Sequence, residues 1–118
     1  MLRFTISGRS KTNDEPVLHY LARAFPGIPL QFIDSVFGFV EHSTLYGGRI
    51  FEGAELVDSD VEALYGADIG VRIPFTNHFA EPHEYEASAP VIEKYHRAGN
   101  AVIVTNDALA RWIRRDFP

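Results

Sequence analysis

Gly70-Val71-Arg72-Ile73-Pro74-Phe75-Thr76-Asn77 and Asn100-Ala101-Val102-Ile103-Val104-Thr105-Asn106 are two versions of one phrase, an apolar run closed by a Thr-Asn pair. The pairs stand 105 − 76 = 29 positions apart. That is the length of a strand plus the crossover helix that a parallel neighbour requires. Each pair also opens a helical pattern. After the first, Glu81-Pro82 suits an acidic first turn with proline at its start, and Tyr85, Ala89, Ile92 and Tyr95 keep helical spacing. Pro90 removes a backbone donor there, which predicts a kink or a restart after Ser88. After the second pair, Asn106 or Asp107 caps a helix that turns Leu109, Trp112 and Ile113 inward and leaves Arg111, Arg114 and Arg115 to solvent or the C-terminal turn. The Ala101 to Val104 run is apolar throughout, as in a strand buried on both faces.

Upstream the same alternation continues. Leu2, Phe4 and Ile6 alternate with Arg3, Thr5 and Ser7, the period of a half-buried strand. Thr12 and Glu15 have capping-box spacing, Pro16 suits a first turn, and Val17, Leu18, Leu21, Ala22 and Phe25 share one helical face until Pro26-Gly27. Leu30 to Asp34 reads as a second strand. From Ser35 to Val57 no period is evident, and the segment exceeds an ordinary βα loop. Its Tyr46-Gly47-Gly48-Arg49 demands a turn. Ser59 and Glu62 again have capping-box spacing, ahead of an apolar stripe of Val61, Leu64 and Tyr65.

The order βαβαβαβα predicts an α/β fold, with parallel strands at residues 2 to 7, 30 to 34, 70 to 76 and 101 to 105 in sequential order. An eight-stranded barrel needs about 250 residues. Four units in 118 residues therefore make about half of a TIM-type barrel, in one domain spanning 1 to 118. A piece of a longer barrel, a half-barrel paired with another copy, and a small open sheet all fit this length.

The net charge of −5 repels nucleic acid and anionic lipid alike. With no cysteine, disulfides and Cys-ligated metals are excluded within the chain. No apolar run reaches the ~18 residues of a membrane span and the N-terminus lacks a signal-peptide core. The expectation is a soluble, cytoplasmic chain with neither nucleic acid nor membrane as partner.

The segments 70 to 77 and 100 to 107, with the following Leu109-Ala110-Arg111-Trp112-Ile113-Arg114-Arg115-Asp116-Phe117-Pro118, resemble the N-terminal half of the U32 collagenase-like peptidase barrel family. That family similarly closes one strand with a small or polar residue and Asn, and follows the next with Asp, a helix and Arg-x-x-Phe-Pro. The resemblance covers about fifty residues. It implies a TIM-type barrel continuing past residue 118, and a role in peptide cleavage or in modification of nucleic acid or quinone precursors. It carries no catalytic residue across.

In a parallel barrel the chemistry sits at the C-terminal strand ends, where the expected strands gather Asp34, Ser35, Thr76, Asn77, His78, Thr105, Asn106 and Asp107. Asp34 and His78 are the candidate catalytic groups; Arg72, Asn77, Asn106 and Arg49 are candidates for substrate binding. The competing explanation is that Thr, Asn and Asp cap helices and turn chains. Arg72 faces away from Val71, Ile73 and Phe75, so inside a barrel it needs a carboxylate such as Asp34 or a bound anion. Gly47-Gly48-Arg49 offers backbone N–H groups and a guanidinium to an anion, or is a plain turn. His42 and His78 lack HExxH spacing, and GxSxG, Walker and GxGxxG patterns are missing. No metal site and no cofactor is assigned. Two functions follow: part of an α/β-barrel enzyme acting on a small polar, anionic or peptide-like substrate, or a non-catalytic binding or assembly module, as a homo-oligomer or with the remainder of a longer chain.

Overall fold

A computed structural model describes all 118 residues. Its elements run β1 (Phe4–Ser7), α1 (Val17–Ala24), β2 (Ile33–Phe37), α2 (Asp58–Gly66), β3 (Gly70–Phe75), α3 (Pro82–Tyr95), β4 (Ala101–Val104) and α4 (Asp107–Asp116). The four strands form one sheet in the order β1-β2-β3-β4, every pairing parallel. No helix is long and apolar enough to cross a membrane.

Alternation within the strands sorts the residues into two faces. Ile6, Val36, Val71, Ile73 and Phe75 are buried with Val17, Leu21, Leu64, Tyr85, Ile92, Leu109 and Ile113 of the helices. Thr5, Ser7, Phe37, Arg72, Pro74, Ala101 and Ile103 on the other face are half-buried or exposed. Right-handed crossovers between strands in sequential order return every helix to one side. The result is a slab of 42 × 31 × 21 Å, whose shortest extent matches one sheet plus one helix layer, each about 10 Å thick.

Several expected boundaries move. Leu30–Phe32 forms a 3-10 turn after Pro29, so β2 begins at Ile33 and Asp34 lies at its start instead of its end. Thr12 and Glu15 do bond, through Thr12 N–H to Glu15 Oε1 at 3.2 Å, but they brace the loop ahead of α1. At α2 the bond to the N-cap Val57 N–H comes from Asp60 Oδ2 at 3.2 Å, in place of the expected Ser59 and Glu62 pair. Pro90 does not restart α3 after Ser88, since one helix spans Pro82–Tyr95. β4 is half-buried on its helix-facing side, where Val102 and Val104 pack against the core, and Ile103 on the other face stays 37% exposed. Pairing to one neighbour and a helix on one side leave its other face open.

The aperiodic segment 38 to 57 folds onto the C-terminal ends of the strands. Phe39, Val40, Leu45, Tyr46 and Leu56 are buried in it. Tyr46 stacks on Phe39 with centroids 4.2 Å apart, and its hydroxyl accepts from Val40 N–H at 3.1 Å and donates to the Glu41 carbonyl at 2.5 Å. A Cβ at Gly47 would overlap the Thr76 carbonyl and the Asn77 nitrogen, so this glycine exists to let the segment touch the end of β3.

Candidate functional site

The segment after β1 and the segment after β2 flank a cleft of about 710 Å³ at the C-terminal side of the sheet, where α/β folds place their ligands. Arg9, Asn13, Arg49, Glu52 and Glu55 line it, with Lys11 at its floor. Arg49 is preorganised: one guanidinium nitrogen donates to Glu55 Oε2 at 2.5 Å, and the group lies 4.1 Å from the centroid of the Phe39 ring. Glu55 is fixed in turn, because its Oε1 accepts from Phe39 N–H at 2.9 Å. A guanidinium has five N–H donors, so most of those on Arg49 stay free for a ligand. Arg9 is exposed and makes no ion pair.

Lys11 holds the floor together. Its ammonium lies 3.3 Å from Asp60 Oδ2, with side chains only 1% and 5% exposed, and donates to the Glu15 and Thr12 carbonyls at 2.8 and 3.2 Å. Asp60 Oδ1 accepts from Val17 N–H at 2.9 Å. One buried pair thus joins the β1–α1 loop to the first turns of α1 and α2. Arg9, Lys11, Glu55 and Asp60 were not singled out by sequence reasoning. Lys11 stands in a polar Ser-Lys-Thr-Asn stretch that reads as a solvated turn, and its partner is 60 − 11 = 49 positions away. Tyr46-Gly47-Gly48-Arg49 was the one local signal that pointed here.

Asp34 and Arg72 come together elsewhere. Arg72 donates through Nη2 to Asp34 Oδ2 at 3.0 Å and through Nε to Ser35 Oγ at 2.7 Å, and Ser35 also pairs with Thr5 Oγ1 at 3.0 Å. A bulge makes this reach feasible. Phe4 pairs with Ile33 while Thr5 pairs with Ser35, so Asp34 is the extra residue. Arg3 adds a contact of 3.4 Å to Asp34. The hydrogen bond from Arg72 is the main cause that holds the Asp34 carboxyl below its ordinary range, against a smaller opposing effect of burial. With side chains 33% and 37% exposed, the Arg72–Asp34 pair is not the fully enclosed pair that a closed barrel interior would impose.

The Thr-Asn pairs brace turns. Asn77 donates to the Thr44 carbonyl at 2.9 Å and accepts from Phe79 N–H at 2.9 Å, which ties the 38 to 57 segment to β3. Thr105 Oγ1 donates to the Thr76 carbonyl at 3.1 Å. Asn106 accepts from Leu109 N–H at 3.2 Å as the N-cap of α4 and donates to the His78 carbonyl at 2.9 Å. Asp107 pairs with Arg111 at 2.6 Å. His78 is exposed against Phe79, and neither it nor Asp34 lines the cleft that contains Arg49. Asp34 and Arg72 thus meet each other, and none of Asp34, Arg72, Asn77 and His78 lines the cleft that holds Arg49. No three His, Asp or Glu side chains gather as metal ligands.

Comparisons with protein families, with curated proteins and with solved structures return no match.

Proposed function

We propose that the chain is one half of a TIM-type α/β barrel, and that it belongs to an enzyme whose small anionic substrate is held in the cleft between the β1–α1 and β2–α2 loops. The observation that carries this is the pair of guanidinium groups there. Arg49 is oriented by Glu55 and Phe39, and Arg9 has no acidic partner. In a chain of net charge −5, two such groups lining a cleft at the strand C-termini suit a carboxylate or phosphate. Asn13 adds a neutral side chain that can donate or accept, while Glu52 and Glu55 offset part of the positive charge of the cleft. The resemblance to the U32 family extends the substrate class to the carboxylate of a peptide-like group. On this reading Asp34 sets the position of Arg72, and Asn77 and Asn106 brace the turns that follow β3 and β4.

Thermal melting with inorganic phosphate and with small mono- and dicarboxylates tests the ligand class. A ligand at about 100 times its Kd stabilises by ~2.7 kcal/mol. The parent should show a concentration-dependent rise in Tm that Arg9→Met and Arg49→Lys reduce. Equal melting of all three with every anion would remove the proposal. The non-catalytic assembly reading is favoured by a different feature, the sheet face that no helix covers.

A further inference from the structure

We infer that the uncovered sheet face is closed by a second copy of this chain, with β4 of each copy beside β1 of the other in an eight-stranded parallel barrel. This rests on the half-barrel reading above. The area argument comes first. A monomer of 13.3 kDa exposes about 6,450 Å² by the usual mass scaling, whereas this chain exposes 7098 Å². The excess of about 650 Å² approaches the ~800 Å² that each partner of a stable dimer buries.

Both edges are prepared for one another. β1 and β4 each offer four residues with one side of the backbone unpaired. Beside β4, Val102, Val104, Ala110, Ile113 and Phe117 border an open apolar groove of about 550 Å³. Beside β1, Phe4, Ile6, Phe25, Ile28 and Phe37 border another of about 470 Å³. A two-fold axis along the barrel would set each groove against its opposite and keep every pairing parallel, which a single self-complementary interface permits. Closure would also cover Ile103 and Phe37. The charges of the open face already satisfy one another, through Asp34 with Arg72 and Arg3.

The register is specific. Ser7, Phe37, Arg72 and Ala101 lie level across the sheet. A barrel with a shear of eight shifts register by about four residues per half turn. Ala101 then meets Arg3 of the second copy, and Ile103 meets Thr5. Inside one chain those two strands are three spacings apart, about 14 Å, beyond the ~7 Å Cα limit of a disulfide.

The chain has no cysteine, so a Thr5→Cys/Ile103→Cys variant gives a clean test by mild oxidation and mass, beside sedimentation of the parent. Expected are a parent at twice the chain mass and covalent dimers from the double variant alone, with neither single variant linking at high yield. Ile103→Glu, at a half-exposed site, should keep its far-UV spectrum and sediment as a monomer. A parent that sediments as a monomer at tens of micromolar overturns the inference, as does a dimer that fails to crosslink. The cleft lies within one chain, so phosphate binding by monomeric Ile103→Glu separates the two claims: binding without dimers in the parent sinks closure alone, and dimers without binding sink the ligand proposal alone.

Discussion

Asp34 lies between Arg72 at 3.0 Å and Arg3 at 3.4 Å, and its carboxyl titrates below the ordinary 3.8. A group whose pKa falls on folding adds stability above its unfolded pKa and loses it as pH drops through the folded value. Asp34→Asn is therefore predicted to lower stability at neutral pH by about 1 kcal/mol, a figure kept small by the exposure of the pair. The gap between parent and variant should close on acidification below the ordinary 3.8, readable by urea unfolding at a series of pH values. Tyr95 offers the converse case. Its hydroxyl is buried without a hydrogen-bond partner, and burial pushes its pKa up to about 12. Tyr95→Phe removes an unsatisfied group and should leave stability equal or higher by about 1 kcal/mol. A loss of that size would instead reveal a bound water at the hydroxyl. The Arg72 partnership was legible from strand alternation, because a guanidinium in an apolar strand must find an anion. The bulge that brings Asp34 within reach was not, since it depends on how two strands meet.

At the scale of elements, α3 shows packing overriding a local signal. Tyr85 and Ser88 on one side of Pro90, and Ile92 and Tyr95 on the other, are all buried, and Ser88 Oγ bonds to Ser43 Oγ at 2.7 Å. These contacts keep the helix continuous despite the missing donor. Pro90 itself is exposed. Pro90→Ala should restore one intrahelical bond without disturbing a neighbour, raising stability by about 1 to 3 kcal/mol in chemical denaturation. An unchanged or lower value would mean that the proline rigidifies the unfolded chain more than it weakens the helix. Element type and order were readable because apolar periods of two and of about four residues differ over short windows. The start of β2 was not, because Leu30-Gln31-Phe32-Ile33 alternates like a strand while Pro29 begins a 3-10 turn. The 38 to 57 segment carries no period because its order comes from aromatic stacking among Phe39, Tyr46 and Phe51.

For the whole molecule, the sequential parallel sheet follows from the repeated Thr-Asn phrase, whose polar side chains serve the turns between neighbouring units. The cleft was less legible, because its parts lie at Arg9 to Asn13 and at Arg49 to Glu55, and Lys11 at its floor pairs with the distant Asp60. Removing one partner of that buried pair strands the other. Lys11→Met should cost about 3 to 5 kcal/mol and loosen both loops at once. Urea denaturation gives the magnitude, and hydrogen exchange should show Val17 and Val57 losing protection together, since both amides bond to Asp60. Protection lost at one site alone would mean that the pair does not couple the loops.

The most direct measurement is a backbone-amide chemical-shift titration of the labelled chain with inorganic phosphate and a small carboxylate. Saturable shifts confined to residues 9 to 13 and 49 to 55, and reduced by Arg9→Met, are the result the anion cleft predicts. Shifts centred on Asp34 and Arg72, or none at millimolar anion, would contradict it.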